Sequence, residues 1–294
     1  MRKRLISGIC CLLIFMLMPG CGRTALQTGR VSSEVSLAES EPVYLSFSEE
    51  QLHMGDLILV NAEYGYDFDA NAALEIVKIR DAQSFPYPLS KEEFSIAGKV
   101  MSSLDAMIRD CNEAMGTEYT SISSAWRSKE YQQNVWDEIQ DLYGEDYARK
   151  YVAVPGFSEH HTGLALDLGI IYSDGSEGTF SESENAVWMA ENSWRYGFVR
   201  RYAEDKQDIT GISNEAWHFR YTGIPHAAYM HEHNLCLEEY LDYLKNETSQ
   251  ESPLTVTADG KTWKIFYTSE QKIPAPEGEI TVSGDNRGGY IVTE

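Results

Sequence analysis

Between residues 90 and 246 the apolar pattern switches irregularly between helical and strand spacing, and this irregularity constrains the fold most. Strict alternation would point to a doubly wound sheet. Short strands scattered among helices point instead to an α+β fold, a small antiparallel sheet core with flanking helices. Ser90 and Glu93 have capping-box spacing, and Ala97, Val100, Met101, Leu104, Met107, Ile108 and Cys111 recur at helical spacing before Gly116, which predicts one helix over this stretch. Further helices are expected over about 129–143, over about 182–195 with Ser181 and Glu184 at capping-box spacing, and within 237–246. Strand candidates are 56–61, 163–171, 197–201 and 217–221.

The ends differ from this middle. Arg2, Lys3 and Arg4 precede an apolar run from Leu5 to Met18, of signal-peptide length and short for a membrane span. Pro19-Gly20-Cys21 resembles a bacterial lipoprotein cleavage site, with Met18 where leucine is usual, so residues 1–21 read as a lipoprotein signal with lipidation at Cys21. A retained anchor or an ordinary cleaved signal is the alternative. Residues 22–55 read as a tether and N-terminal segment. The main folded domain is placed at 56–247. Beyond it, 252–294 reads as a small C-terminal β appendage, because LTVTADGKTWKIFYT alternates around Asp259-Gly260 and two further strands are expected at 280–282 and 290–292. The expected location is therefore outside the cell membrane, lipid-anchored to its outer face and facing the cell wall. A formal charge of −22 argues against a duplex nucleic-acid partner. Outside the signal and Cys21, only Cys111 and Cys236 remain. They allow a disulfide, although the helical pattern also makes Cys111 a buried free thiol.

Three short segments carry reactive side chains. In SEHHTGLALD (158–167), alternation puts Leu164, Leu166 and Leu168 on one face and Ala165, Asp167 and Gly169 on the other, with small neighbours leaving space above Asp167. His160 reaches Asp167 only if the chain turns, and Gly163 permits the turn. A histidine and an aspartate meeting there can hold zinc. In EAWHFRY (215–221), Trp217, Phe219 and Tyr221 share a face expected to be buried, while His218 and Arg220 share a face expected to line a cleft. His160, Asp167 and His218 would make up the three protein ligands of a catalytic zinc, with Glu215 able to accept a proton from water. In SSAWRS, Arg127 lies just before a helix, where it can reach a carboxylate or an oxyanion.

These segments, in this order, resemble the S-x-H-x-x-G-x-A-x-D, E-x-W-H-x-R-Y and S-G-Y-R-S motifs of the VanX/VanY-type zinc peptidases, of the LAS/hedgehog-type fold. Trp188, Asn192, Tyr196-Gly197-Phe198, Arg201-Tyr202 and Thr210-Gly211-Ile212 extend the likeness over roughly 56–245. The resemblance implies zinc at His160, Asp167 and His218, a general base at Glu215, and an arginine at Arg127 that positions substrate and stabilises the transition state. It implies substrate contacts from Ser158, Arg127 and Ser128. It also implies a carboxypeptidase that removes the terminal D-alanine of peptidoglycan stem peptides or precursors. Ala216 replaces a common proline, and Ala125-Trp126 replace Gly-Tyr, which alters the pocket wall more than the chemistry. His226, His231 and His233 match no motif and read as surface residues. An endopeptidase or dipeptidase on the same scaffold, or a non-catalytic cell-wall binding lipoprotein, is the competing reading.

Overall fold

The computed structural model describes residues 43–116 and 118–294; the expected signal, the Cys21 lipidation site and most of the tether lie outside the described residues. Short elements come first: β1 (Tyr44–Ser46), β2 (Ile76–Lys78), the single turn α1 (Ile79–Ala82) and β3 (Ser95–Ala97). Then follow α2 (Met101–Met115), β4 (Glu118–Ser124), α3 (Lys129–Tyr143), α4 (Glu145–Tyr151) and β5 (Ala165–Tyr172). The chain continues through β6 (Glu177–Gly178), α5 (Glu184–Asn192), β7 (Phe198–Tyr202), α6 (Gln207–Thr210) and β8 (Glu215–Tyr221). Last come α7 (Ile224–Glu232), α8 (Leu237–Glu247), β9 (Leu254–Ala258), β10 (Lys261–Thr268), β11 (Lys272–Pro274), β12 (Thr281–Gly284) and β13 (Tyr290–Thr293).

The central sheet is antiparallel, in the order β4-β5-β8-β7, with β6 pairing the far half of β5. Its leucine face is buried as the alternation predicts: Leu164, Leu166 and Leu168 are all enclosed, together with the apolar side of α2. The expected α+β architecture is thus observed. The bounds of α3 follow from local chemistry, since Ser128 Oγ accepts a hydrogen bond from Tyr131 N and Gly144 takes φ +91° after the last turn.

The helix expected from Ser90 begins only at Met101. Residues 95–97 pair with β2 instead, and Ala97 N donates to the Gly163 carbonyl, a donor that a continuous helix would have used internally. Its C-terminus is as expected, with Gly116 at φ +75°. Residues 56–61 form no strand. Leu57 and Leu59 point into one core cluster and Ile58 and Val60 into another, while the Asp56 and Ile58 carbonyls accept hydrogen bonds from Arg220. The β9–β10 hairpin turns at Asp259-Gly260, both at positive φ. Its sheet, β12-β13-β10-β9, shares a hydrophobic cluster with α7, α8, Leu57 and Leu59. Cys111 and Cys236 are both buried and free.

Candidate metal centre and active site

The strand register assembles half of the site. Asp167 on β5 lies directly opposite His218 on β8, so the two side chains share one face of the sheet. His160 arrives from outside the sheet on a tight turn, Glu159–Thr162, which ends at Gly163 with φ +66°. A Cβ on Gly163 would lie 2.9 Å from Ile76 Cδ1 and 3.0 Å from the Ala97 nitrogen, so both conformation and space demand glycine. The turn that sequence required is present.

The ring nitrogens have separate tasks. His160 Nδ1 lies 2.7 Å from the Ala125 carbonyl, which takes its proton and leaves Nε2 as a free lone pair facing Asp167 Oδ2 at 3.5 Å. His218 Nε2 lies 3.3 Å from Glu159 Oε2, which turns Nδ1 toward Asp167 Oδ1 at 3.0 Å and Glu215 Oε2 at 3.6 Å. The ligand atoms of His160, Asp167 and His218 all lie within 4.8 Å of one another. Asp167 Oδ1 is buried and no donor is aligned to hydrogen-bond it, despite the nearby ring nitrogen. Two histidine lone pairs and an orphaned carboxylate oxygen converging on one point suit zinc, with carboxylate and carbonyl partners fixing the rings from behind.

Glu159 holds the centre from below, and sequence reasoning gave it no role. It is fully enclosed, accepting from Arg201 Nε at 2.7 Å and Arg220 Nη1 at 3.1 Å; Arg201 in turn makes two bonds to Glu238 on α8, at 2.6 and 2.8 Å. The available signal was a glutamate flanked by motif residues in a chain that also places arginines, Arg201 and Arg220, on two strands. Contrary to the alternation, Arg220 does not line a cleft but is fully buried, with Glu159 as its counter-charge and the Asp56 and Ile58 carbonyls accepting its hydrogen bonds. Trp217 is corrected as well. It is 39% exposed, because pairing of β5 with β8 ends at Asp167–His218 and leaves it beyond the covered edge.

Arg127 lies beside the ligands. Its Nη2 is 3.5 Å from Asp167 Oδ2, and Ser124 Oγ and Gln132 Oε1 fix the guanidinium. Ser158 is buried at the entry to the His160 turn. Ser128 caps α3 with the oxygen that was expected to meet substrate. His161 turns away from the centre, its Nδ1 bonded to the Arg127 carbonyl and its Nε2 accepting from Gly156 N, so the choice of His160 over His161 agrees with the geometry. His226 is not a surface residue: it is buried between Tyr240 and Thr293, whereas His231 and His233 are exposed.

Electrostatics divide the titratable groups. Burial pushes Glu215 above the ordinary glutamate range, the direction a general base needs near neutrality. Burial brings His160 down to about 4, aided by Arg127, which keeps its lone pair free. For His218 burial also opposes charge, but Asp167 and Glu159 on either side outweigh it and raise the group to about 9 in the metal-free protein.

A family model described as "VanY: D-alanyl-D-alanine carboxypeptidase" matches residues 93–224. A D-alanyl-D-alanine carboxypeptidase of Enterococcus faecium is 34% identical over 254 residues, covering 84% of this chain and 78% of its own length. The bifunctional D-Ala-D-Ala dipeptidase and carboxypeptidase VanXYC of Enterococcus gallinarum is 35% identical over 167 residues, 55% of this chain and 86% of its own. Among solved structures, the vancomycin resistance D,D-dipeptidase VanXYg, in complex with a D-Ala-D-Ala phosphinate analogue, matches with a TM-score of 0.73 at 30% identity, covering 86% of this chain and 99% of that one. A VanY D,D-pentapeptidase in complex with Zn(II) matches with a TM-score of 0.52 at 37% identity, covering 63% and 98%. With motifs, register and relatives in agreement, the chain belongs to the VanY family of D-alanyl-D-alanine carboxypeptidases.

Proposed function

We propose that this protein is a zinc-dependent carboxypeptidase that hydrolyses the terminal D-alanine from peptidoglycan stem peptides or their precursors. The observation that carries the reading is the convergence of His160 Nε2, Asp167 and His218 Nδ1 with Glu215 3.6 Å from the last of them. Held by these three residues, zinc supplies a Lewis acid for the scissile carbonyl and acidifies water. Glu215 Oε2 accepts the proton of the attacking water as the new C–O bond forms, then delivers it to the alanine nitrogen as the C–N bond breaks. Arg127 Nη2 faces the negative charge that develops on the carbonyl oxygen. Ser158, buried at the entry to the His160 turn, is assigned to the substrate by the family resemblance.

The test is release of free D-alanine by the zinc-loaded protein from muropeptides ending in D-Ala-D-Ala and in a single D-Ala. Glu215→Gln should retain zinc and lose about 10²–10⁴-fold in kcat; full activity in that variant removes Glu215 from the mechanism. The preferred peptide decides between D,D- and L,D-specificity, and an internal cut or a released dipeptide would overturn the carboxypeptidase reading.

The same reading places the enzyme outside the cytoplasmic membrane, anchored through lipid on Cys21. The basic residues 2–4, the apolar run to Met18 and Pro-Gly-Cys support it. Cys21→Ser should abolish labelling by a fatty-acid analogue, and retained labelling would refute the site.

A further inference from the structure

A second cavity, of about 90 Å³, is lined by residues 199–201 of β7. Side chains alternate along a strand, so three neighbours meet one cavity only where it touches the strand edge-on, and β7 is an edge strand of the central sheet. The turn that follows α5 brings Ser193 to this cavity, the segment after β7 brings Lys206, and the loop after α7 brings Asn234. Trp194 and His231 complete one wall, their rings stacked with centroids 5.3 Å apart. None of the zinc ligands lines it, nor does Glu215 or Arg127.

The walls carry charge of one sign. Arg200, Arg201 and Lys206 line the cavity and no carboxylate does, in a chain with 46 acidic and 24 basic residues. Arg200 is exposed and makes no salt bridge among the described residues. Arg201 directs three N–H groups to Glu159 and Glu238, and a guanidinium has two more. Lys206 meets Glu239 at 2.9 Å and Asn234 donates to Asp205, but neither acid lines the cavity. Ser193 is 2% exposed, and its hydroxyl has no hydrogen-bond partner among the described residues. A buried hydroxyl is rarely left unmatched. Water would match it without answering the cations. The volume holds roughly three waters at about 30 Å³ each, too little for a sugar or a peptide and enough for one small polyatomic ion. A tetrahedral oxyanion offers acceptors in four directions, which suits donors that arrive from a strand, a turn and two loops.

We propose that this cavity is a binding site for one free inorganic oxyanion of the sulfate and phosphate class. Ser193 Oγ and the two remaining N–H groups of Arg201 donate to its oxygens from within, and Arg200 and Lys206 supply further positive charge. The site is separate from the zinc centre and does not depend on the carboxypeptidase reading.

Sulfate is the probe, titrated by calorimetry into the zinc-loaded protein, with chloride holding the ionic strength constant so that screening does not register as binding. Saturable binding of one sulfate is expected. Affinity should fall about tenfold in Ser193→Ala, which loses a hydrogen bond to a charged group, and about fivefold in Arg200→Gln. Arg127→Gln, which removes a cation at the metal centre, should leave it unchanged. One variant removes a single oxygen and the other changes an exposed side chain, so both should fold, and their urea midpoints check this. Selenate soaked into crystals should give an anomalous peak between Ser193 and Arg201. Glycerol 3-phosphate carries the same group on an arm too large for the cavity and should compete poorly with sulfate. Absence of saturation, wild-type affinity in both Ser193→Ala and Arg200→Gln, or a loss confined to Arg127→Gln would overturn the proposal. So would a selenate peak at the metal centre alone, and equal competition by glycerol 3-phosphate would refute the assignment to a free ion.

Discussion

Replacing Glu159 by glutamine tests whether the metal centre depends on a charge buried behind it. The carboxylate is 3% exposed and meets Arg201 at 2.7 Å, Arg220 at 3.1 Å and His218 at 3.3 Å. Glutamine keeps the volume and one acceptor but removes the charge. Arg201 retains Glu238 at 2.6 Å, whereas Arg220 is left with the Asp56, Ile58 and Tyr221 carbonyls at 3.0–3.1 Å. One fully buried guanidinium therefore loses its counter-charge. Breaking a buried pair costs about 3–5 kcal/mol, and the lower end is expected because three carbonyl dipoles still solvate Arg220. Partners that orient a ligating histidine typically contribute about 10–100-fold to metal affinity; with an amide oxygen still able to accept from His218 Nε2, about tenfold is expected. Urea unfolding of the metal-free protein reads the first effect, and zinc competition against a chromophoric chelator reads the second. A stability loss below about 1 kcal/mol together with unchanged zinc affinity would refute the argument that Glu159 supports the centre.

His218 sets a pH dependence. Its folded pKa of about 9 lies above the unfolded value of about 6.5, so the stabilisation is fully present below pH 6.5 and lost as pH rises to 9, about 3 kcal/mol in all. Urea midpoints should show this fall for metal-free protein and not for zinc-loaded protein, where His218 is already neutral; a flat metal-free profile would refute it. Gly163→Ala forces a side chain into φ +66° and against Ala97, so a loss of about 1–3 kcal/mol and weakened zinc binding are expected by the same assays; wild-type values for both would refute it. Arg127→Gln removes a cation 3.5 Å from Asp167 and should lower kcat about 10²–10³-fold while leaving zinc affinity equal or tighter. A parallel loss of zinc would make Arg127 a structural residue.

Legibility followed the range of the interactions. The helix Lys129–Tyr143 was readable because Ser128 and Gly144 bound it locally, and the hairpin at Asp259-Gly260 for the same reason. The convergence of His160, Asp167 and His218, the candidate metal ligands, is legible once Gly163 makes a turn, since strand alternation already puts Asp167 and His218 on the polar faces of their strands. Arg220 has the same alternation as His218, yet it faces no cleft, because its guanidinium is fully enclosed against Glu159, 61 positions earlier. Nothing within its own strand signals that partner. The helix Ile224–Glu232 escaped notice because it is apolar over much of its surface, packed between the central sheet and the C-terminal strands, with Pro225 as its clearest local mark. The start of the helix at Met101 was misplaced because residues 95–97 satisfy helical spacing by coincidence while their backbone pairs with β2 and Gly163.

The same long-range pairing explains how an acidic chain holds a divalent cation without being overcharged at the centre. Asp167, Glu159, Glu215 and Glu238 face Arg127, Arg201 and Arg220. With the proton that His218 holds in the metal-free state, the group as a whole is neutral when all four acids are ionised. Zinc exchanges two positive charges for that one and leaves a single positive charge in excess. On the proposed mechanism the negative charge that develops on the scissile carbonyl oxygen is matched by the proton that Glu215 takes from water, so the total charge is unchanged, and the positive excess faces the oxygen on which negative charge collects, which is the direction catalysis requires. Glu238 belongs to α8, whose other side packs against the C-terminal sheet. The charge balance at the metal therefore depends on the folding of a segment that contributes no ligand to it.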